Sequence, residues 1–380
     1  MEIPLNIAEE ELVAMAQTFA QEVVLPQAAS WEAARTFPRA AFSQAAELGL
    51  CRLLVSPADG GHGIRLTAMA RIMEELAAAS MPFAFSLTVH NNLAANIANN
   101  GSPEQRETYL PSLLSGESVG AFLLTEPQGG SDAAVVRTSA QLDGDEWVLA
   151  GQKDWVSNGA VAKLLSIYAQ TNPELGWRGI ACFLVDAAQS GVVRLPAYQL
   201  LGGHVLGTGA FRFEGCRVEK EAMLLGPGEA FKAAMQGIDL ARILVAAMCC
   251  GMMRTGLEEA LAATAVRHSF GRPIGDYQAI QWMLADTATD LKAARLLTYD
   301  AATLWDVGKE ATLAAAHAKK FATRVALTRL SDCMQCMGAP GLRIDNTVAR
   351  HFAAAKMAQY LDGSTEIQNI VISRKLRSQS

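Results

Sequence analysis

Cysteine and histidine are scarce in this 380-residue chain, and neither is placed for disulfide or metal chemistry. The seven cysteines, at 51, 182, 216, 249, 250, 333 and 336, are odd in number and lack the spacing of a disulfide framework. Cys333 and Cys336 form a C-x-x-C inside a helical pattern, with no second pair and no ligand histidine near them, so they read as reduced, packed thiols. The six histidines (62, 90, 204, 268, 317 and 351) make neither H-x-x-x-H nor H-E-x-x-H, and no metal is expected. Basic charge is also missing. A formal net charge of −6, a pI near 5.6 and no basic cluster with interleaved aromatics argue against nucleic acid as a partner. Long hydrophobic runs are absent too. The longest, "ILVAAMCCGMM" between Arg242 and Arg254, has 11 residues, too few to span a bilayer and suited to a buried helix. The start, "MEIPLNIAEEELVAMAQ", lacks the features of a signal or transit peptide. The expectation is a soluble, cytoplasmic protein without membrane insertion.

What is present is a compact balance, 51% hydrophobic and 18% charged, in a chain long enough for two or three domains. Residues 1–119 read as helices. Leu12, Ala16, Phe19 and Val23 recur at helical spacing after an Asn6/Glu9 capping box, and Pro26 is expected to end that helix. "GSPEQRETYLPSLL" supplies a second box from Ser102 and Gln105. From 120 to 230 the runs shorten to "GAFLLT", "EWVLAG", "LLSIYAQ" and "IACFLVD", with the hairpin signal "LDGDEW". Residues 231–380 return to long alanine-rich helices, with one stripe of Ile280, Leu284 and Leu291 and another of Leu313, Phe321 and Val325. The predicted fold class is α+β: an N-terminal helical domain, a central antiparallel β domain and a C-terminal four-helix bundle.

Five short segments carry chemistry. In "LLTEPQGGSDAAVVRTSA", Thr125 ends a strand, Gly129 and Gly130 admit close backbone approach to a flat or anionic ligand, and Ser131 can donate. In "GQKDWVSNG", Trp155 and Ser157 are expected on one side of a strand, a face and an edge for an aromatic ring. "RHSFGRPIGDYQAIQWMLAD" offers Arg267 for phosphate and Phe270 for stacking, and "MQCMGAPGLRIDN" sets a Gly-Pro-Gly loop after a helix. In "YLDGSTEIQ", Asp362 and Gly363 break two helical runs, and Thr365 to Gln368 fits a capping box. Singly, each of these segments also reads as a turn or a helix connection.

Together, and in this order, the segments resemble the acyl-CoA dehydrogenase family of flavoproteins over nearly the whole chain. The resemblance implies FAD bound between the β and C-terminal domains, and a homotetramer built as a dimer of dimers. It implies an acyl-CoA or acyl-carrier-protein thioester as substrate and an electron-transferring flavoprotein as electron acceptor. By the family pattern Phe122, Leu124 and Thr125 lie beside the flavin ring, with Gly130 and Ser131 near cofactor and thioester. Trp155 and Ser157 cover the ring's other side, and Ser364 and Glu366 join the cofactor set. Arg267, Ser269, Phe270, Gln278, Gln335 and Gly338 serve the FAD of a neighbouring subunit. Asp239 and Arg242 match positions that contact CoA, and Gly363 lies at the substrate.

The resemblance also implies the reaction: a carboxylate removes the α-proton of the thioester while the β-hydride passes to flavin N5. The family's usual base is a glutamate directly before the glycine, where this chain has Asp362. Some members place the glutamate at the position of Ala241, so Asp362 is the base that the pattern points to, in oxidation to the 2,3-enoyl-CoA. An aspartate is one methylene shorter, which matches a branched, cyclic or otherwise bulky acyl group. Other departures are the alanines 353 to 355 where the family often has R-D-A, and His204 where it often has arginine. "MPFAFSLTVHNN" has only His90 as a cationisable side chain, which disfavours an acidic acyl terminus. Two alternatives stay open at this point. One is a nitroalkane-type flavin oxidase, which would need an arginine where this chain has Asn369; the other is a non-catalytic FAD- and thioester-binding member.

Overall fold

The computed structural model describes residues 4–378. Helix α1 (Ile7–Phe19) opens on the expected capping box: Asn6 Oδ1 accepts from the Glu9 N–H at 2.9 Å, and the Glu9 carboxylate accepts from the Asn6 N–H at 3.0 Å. Pro26 does not end the helix. The chain runs through a π turn, Ala20–Val24, into α2 (Leu25–Ala34), whose first turn holds the proline where its missing N–H is tolerated. After α3 (Arg39–Glu47) comes the long α4 (Leu66–Asn100), and then α5 (Pro103–Leu114) on its Ser102/Gln105 box. Helix α4 breaks at Ser80 (φ −158°, ψ 102°), two residues before Pro82. Proline cannot bond the carbonyl four residues back, that of Ala78. The Thr255 hydroxyl takes it at 2.9 Å and His351 Nε2 lies 3.0 Å away, so neighbouring helices satisfy what the kink leaves open.

The β domain is one eight-stranded sheet. Its strands are β1 (Gly120–Leu123), β2 (Ser139–Asp143), β3 (Glu146–Val156), β4 (Leu164–Gln170), β5 (Ile180–Asp186), β6 (Val192–Arg194), β7 (Gly209–Glu219) and β8 (Met223–Leu225). The order is β6-β7-β3-β2-β4-β5-β8, with β1 beside β4. Pairing is mostly antiparallel; the exceptions are β1 with β4 and one residue pair between β2 and β4. The "LDGDEW" hairpin forms as predicted, with Asp143 opposite Glu146 and Gly144 at φ 65°. Strand β4 is buried throughout. Leu164 and Tyr168 face the cluster that holds Leu93 and Ile97 of α4; Leu165, Ile167 and Ala169 face the cluster under β5 and β7.

The C-terminal elements are α6 (Ala230–Val266), a small hairpin of β9 (His268–Ser269) and β10 (Arg272–Pro273), α7 (Gln278–Asp306), α8 (Thr312–Met337), α9 (Thr347–Ala358) and α10 (Thr365–Ser378). The N- and C-terminal helices do not form separate cores. Phe42, Leu76 and Phe83 share one buried cluster with Ile243, Leu291 and Leu330. Buried acids in α4 tie it to its neighbours. Glu74 accepts from Arg295 at 2.9 and 2.5 Å and from the Tyr299 hydroxyl at 3.0 Å, and Glu75 takes a bidentate pair from Arg254 at 2.8 and 2.7 Å. Gly251 lets α6 lie against the Glu74 carbonyl, where a Cβ would collide. By length and composition α4 and α6 could each cross a membrane, and this shared core buries most of their apolar stretches. At the junction with α2, Glu32 lies 2.7 Å from His204 Nδ1 and accepts from the Gly203 N–H at 2.8 Å, while Gly202 packs on Ala353.

Candidate active site

Asp362 sits between α9 and α10 with a left-handed backbone, φ 51°, which aspartate tolerates better than most residues. Its Oδ2 is buried and has no hydrogen-bond partner. The loop below that oxygen is held by three side chains. Arg242 Nε donates to the Asp362 carbonyl at 2.9 Å, Lys319 Nζ to the carbonyls of Gln359 and Gly363 at 2.9 and 2.6 Å, and Gln368 Nε2 to the Gly363 carbonyl at 2.9 Å. Arg242 is fixed in turn by Asp239 at 2.7 Å, whose other oxygen accepts from Thr312 at 2.6 Å. Gly363, at φ 90°, has no room for a Cβ clear of Ile367, Arg242 and Gln368. Burial pushes the Asp362 carboxyl up to about 6, against the pull of Lys319 and then of Arg242. Burial also lowers Lys319, against the charge of Asp362.

The sequence placed Asp239 and Arg242 at CoA. Both are buried and paired with one another, and Arg242 also donates to the Asp362 carbonyl. The capping box read from Thr365 to Gln368 does not form. Thr365 is already the first helical residue, and the Gln368 amide turns back to the loop carbonyls. Lys319 and Gln368 were missed as site residues. A signal for Lys319 existed: it falls in line with Ala315 and Ala322 on the buried face of α8.

Asp362 opens into a cavity of about 190 Å³ between α4, α6 and the sheet. Phe122 lines it as well, with its ring 5.0 Å from that of Tyr168, and Ala241 faces it where a glutamate had been sought. His90 is not part of it. Its ring is buried between the Leu113 carbonyl (2.9 Å) and the Gly120 N–H (3.2 Å), and burial lowers its pKa to about 4.

A second group lies at the ends of β1 and β3. The Asp154 N–H donates to the Thr125 carbonyl at 2.9 Å, so the two predicted loops are joined. Beneath them Lys153, fully buried, donates to Glu126 at 2.8 Å and to the Leu124 carbonyl at 3.0 Å; Glu126 also accepts from the N–H groups of Arg137 and Thr138, each at 2.8 Å. Burial opposes the Glu126 charge, yet Lys153 and these N–H groups hold it down at about 2. Neither Glu126 nor Lys153 was singled out from sequence. Gly130 packs against Thr125, whereas Gly129 (φ 142°) and Ser131 are open. Trp155 corrects the strand reading. A bulge between Lys153 and Val156 turns its backbone left-handed (φ 57°), and Ser157 lies past the strand end, so alternation does not apply. The indole is 59% exposed with the Tyr198 ring 4.7 Å away, an uncovered aromatic shelf that fits a flat ring system.

The third group is peripheral. Arg267 packs on Gly338 and donates to the Met337 carbonyl at 3.1 Å, while the Tyr277 hydroxyl donates to the Ser269 carbonyl at 2.8 Å. Phe270 is 95% exposed at φ 51°, and Gln278 and Gln335 are exposed nearby in the fold. Ser364 hydrogen-bonds Glu366 at the end of the Asp362 loop. Of the five non-glycine residues with left-handed backbone among the described residues, Trp155, Phe270 and Asp362 are predicted site residues; such strain gathers at functional positions. No cluster of metal-ligating side chains exists among the described residues.

Models of the acyl-CoA dehydrogenase N-terminal, middle and C-terminal domains match residues 7–117, 121–216 and 228–377. The human mitochondrial short-chain specific acyl-CoA dehydrogenase is 34% identical over 98% of this chain and 91% of its own. Isobutyryl-CoA dehydrogenase of Dictyostelium discoideum is 33% identical over 97% of this chain and 89% of its own. Among solved structures, butyryl-CoA dehydrogenase of Megasphaera elsdenii superposes with a TM-score of 0.95 at 30% identity, covering 99% of this chain and 100% of that one. A chain from the work on the electron-transferring flavoprotein of Acidaminococcus fermentans has a TM-score of 0.95 at 34% identity, covering 99% of both chains.

Proposed function

Because the chain belongs to the acyl-CoA dehydrogenase family, and so is an FAD-dependent oxidoreductase, we propose that it converts an acyl-CoA to its 2,3-enoyl-CoA with Asp362 as the base. The observation that carries this reading is the unpartnered, buried Oδ2 of Asp362, on a residue that lines a cavity between α4, α6 and the sheet. Desolvation keeps this carboxylate basic enough to take an α-proton and still ionised at neutral pH. When bound, FAD supplies the acceptor for the β-hydride. The residues present fit it: the open Trp155–Tyr198 shelf for its ring and the Gly129–Ser131 loop for close backbone contact. The main-chain N–H of Asp362 polarises the thioester carbonyl, and Arg242, Lys319 and Gln368 keep that N–H and the carboxylate in place. An electron-transferring flavoprotein is the proposed acceptor, supported by the likeness to the Acidaminococcus chain. A homotetramer is supported by the exposed Phe270, Gln278 and Gln335, which are free to reach the FAD of another subunit.

The test is an anaerobic titration of the purified holoenzyme with short, long, branched and cyclic acyl-CoAs, followed by flavin absorbance. One acyl class is expected to bleach the flavin in the wild type. Asp362→Asn is expected to slow the bleaching by about 1000-fold or more, the scale of losing a general base. Bleaching at the wild-type rate in Asp362→Asn removes Asp362 from the role of base.

A further inference from the structure

Most of the cavity beside Asp362 is lined by apolar side chains, Phe85, Leu93, Ile238 and Leu240 among them, but one stripe of it is polar. Along α4, Asn92, Asn96 and Asn100 recur at four-residue spacing, so one face of the helix presents side-chain amides to the cavity over about 12 Å. Asn100 stands exposed, but the other two amides are more covered. Asn92 is half-buried and donates across to the Gly237 carbonyl of α6 at 3.3 Å. Asn96 is half-buried too; its Oδ1 accepts from Asn100 at 2.8 Å, and its side chain bonds Tyr168, which is only 1% exposed. Among the described residues no lysine, arginine or histidine lines the cavity to pair with a carboxylate on the acyl group. These protein bonds fill only part of each amide's capacity; an alkyl chain threaded past would strip water from the rest and replace no hydrogen bond, at a cost of about 1–3 kcal/mol for each one lost.

We propose that the acyl group taken by this enzyme carries a neutral hydrogen-bonding substituent, a hydroxyl or an amide, that pairs with Asn92 and Asn96. This rests on the reading of the cavity as the acyl site of a dehydrogenase. A site built to hydrogen-bond its substrate also rejects analogues that lack the partner group, because its own polar groups are then left unpaired.

The experiment compares hexanoyl-CoA with its 5-hydroxy and 6-hydroxy derivatives on the holoenzyme, by anaerobic flavin bleaching and by calorimetric Kd. At least one hydroxylated thioester is expected to exceed hexanoyl-CoA by about tenfold in kcat/KM, the ratio one net hydrogen bond supports. In Asn92→Leu, and separately in Asn96→Leu, that ratio is expected to fall to unity or to invert. FAD content and melting temperature identify a variant that has not folded, and the other variant then decides. Bleaching by all three thioesters with equal kcat/KM overturns the substituent assignment and leaves the dehydrogenase reading standing. Bleaching by none of them, nor by any acyl-CoA of the wider panel, counts against the dehydrogenase reading, and the Kd values then decide the assignment: a hydroxyl preference lost in the leucine variants supports it, and equal Kd values overturn it.

Discussion

At the residue scale, Asp362 depends on what lies under its loop. On the proposed reading Asp362 is the base; a base works in its ionised form, so kcat/KM is expected to rise with pH through its pKa. Burial raises that pKa to about 6, and Lys319 and Arg242 pull it down. The charged groups facing the carboxylate are these two cations; Asp239 neutralises Arg242 from α6, and Glu366 acts on Lys319 from α10. Removing the Lys319 charge leaves burial with less opposition. Lys319→Met is therefore expected to move the acid limb of kcat/KM upward by about one pH unit, a tenfold loss below the limb and little change well above it. Lys319→Gln, which keeps a donor for the Gly363 carbonyl, is expected to shift the limb as far while holding the loop better. A uniform loss at all pH values would mean that Lys319 only shapes the loop. In the sequence the Asp362–Gly363 break between two helices was legible as a local event, and only the family resemblance gave it a proposed role as base. Lys319 was not legible as a site residue, because its partners are carbonyls 40 and 44 residues away.

At the element scale, what sequence pattern conveyed was where helices and strands lie; what it lost was how they bend. Pro26 and Pro82 are ordinary stop signals. The first is absorbed by a π turn, and the second by a kink whose freed carbonyl is claimed by α6 and α9. Trp155 was read by strand alternation, which a bulge suspends. Beneath that bulge, the Glu126–Lys153 pair fixes the strand ends that carry Thr125 and Trp155. Breaking a buried pair from one side strands a charge. Lys153→Met is expected to cost about 3–5 kcal/mol. Adding Glu126→Gln should restore much of that stability, because no buried charge is then left alone. Thermal unfolding of the single and double variants checks this, and FAD retention reports whether the loops still hold their shape. A single variant as stable as the wild type would show that the pair is dispensable to both loops.

At the scale of the whole molecule, the sequence order of helices, strands and helices is the order in the fold, yet the two helical segments are one packed body. Periodicity tells which face of α4 is buried, not that Gly251 and Arg254 of α6 will cover it. A surface for the proposed assembly is still less legible from local pattern, since an exposed aromatic at a hairpin tip looks locally like any turn. Phe270, with Arg272 stacked 4.1 Å over Tyr277 beside it, stands almost fully exposed on a left-handed backbone. A bulky residue held in that conformation is costly, which a buried contact in an assembly would offset. Phe270→Asp puts a charge on that contact and leaves the core of the subunit untouched. It is expected to lower the mass found by light scattering from that of the proposed tetramer, and to reduce flavin retained through gel filtration by about tenfold or more, the loss of one good anchor. Both effects should appear together, because Arg267, Ser269 and Gln278 share the hairpin region with Phe270. A tetramer that keeps its full flavin would place the hairpin outside the cofactor's reach. Loss of flavin from an intact tetramer would instead make Phe270 a ligand contact without a role in assembly.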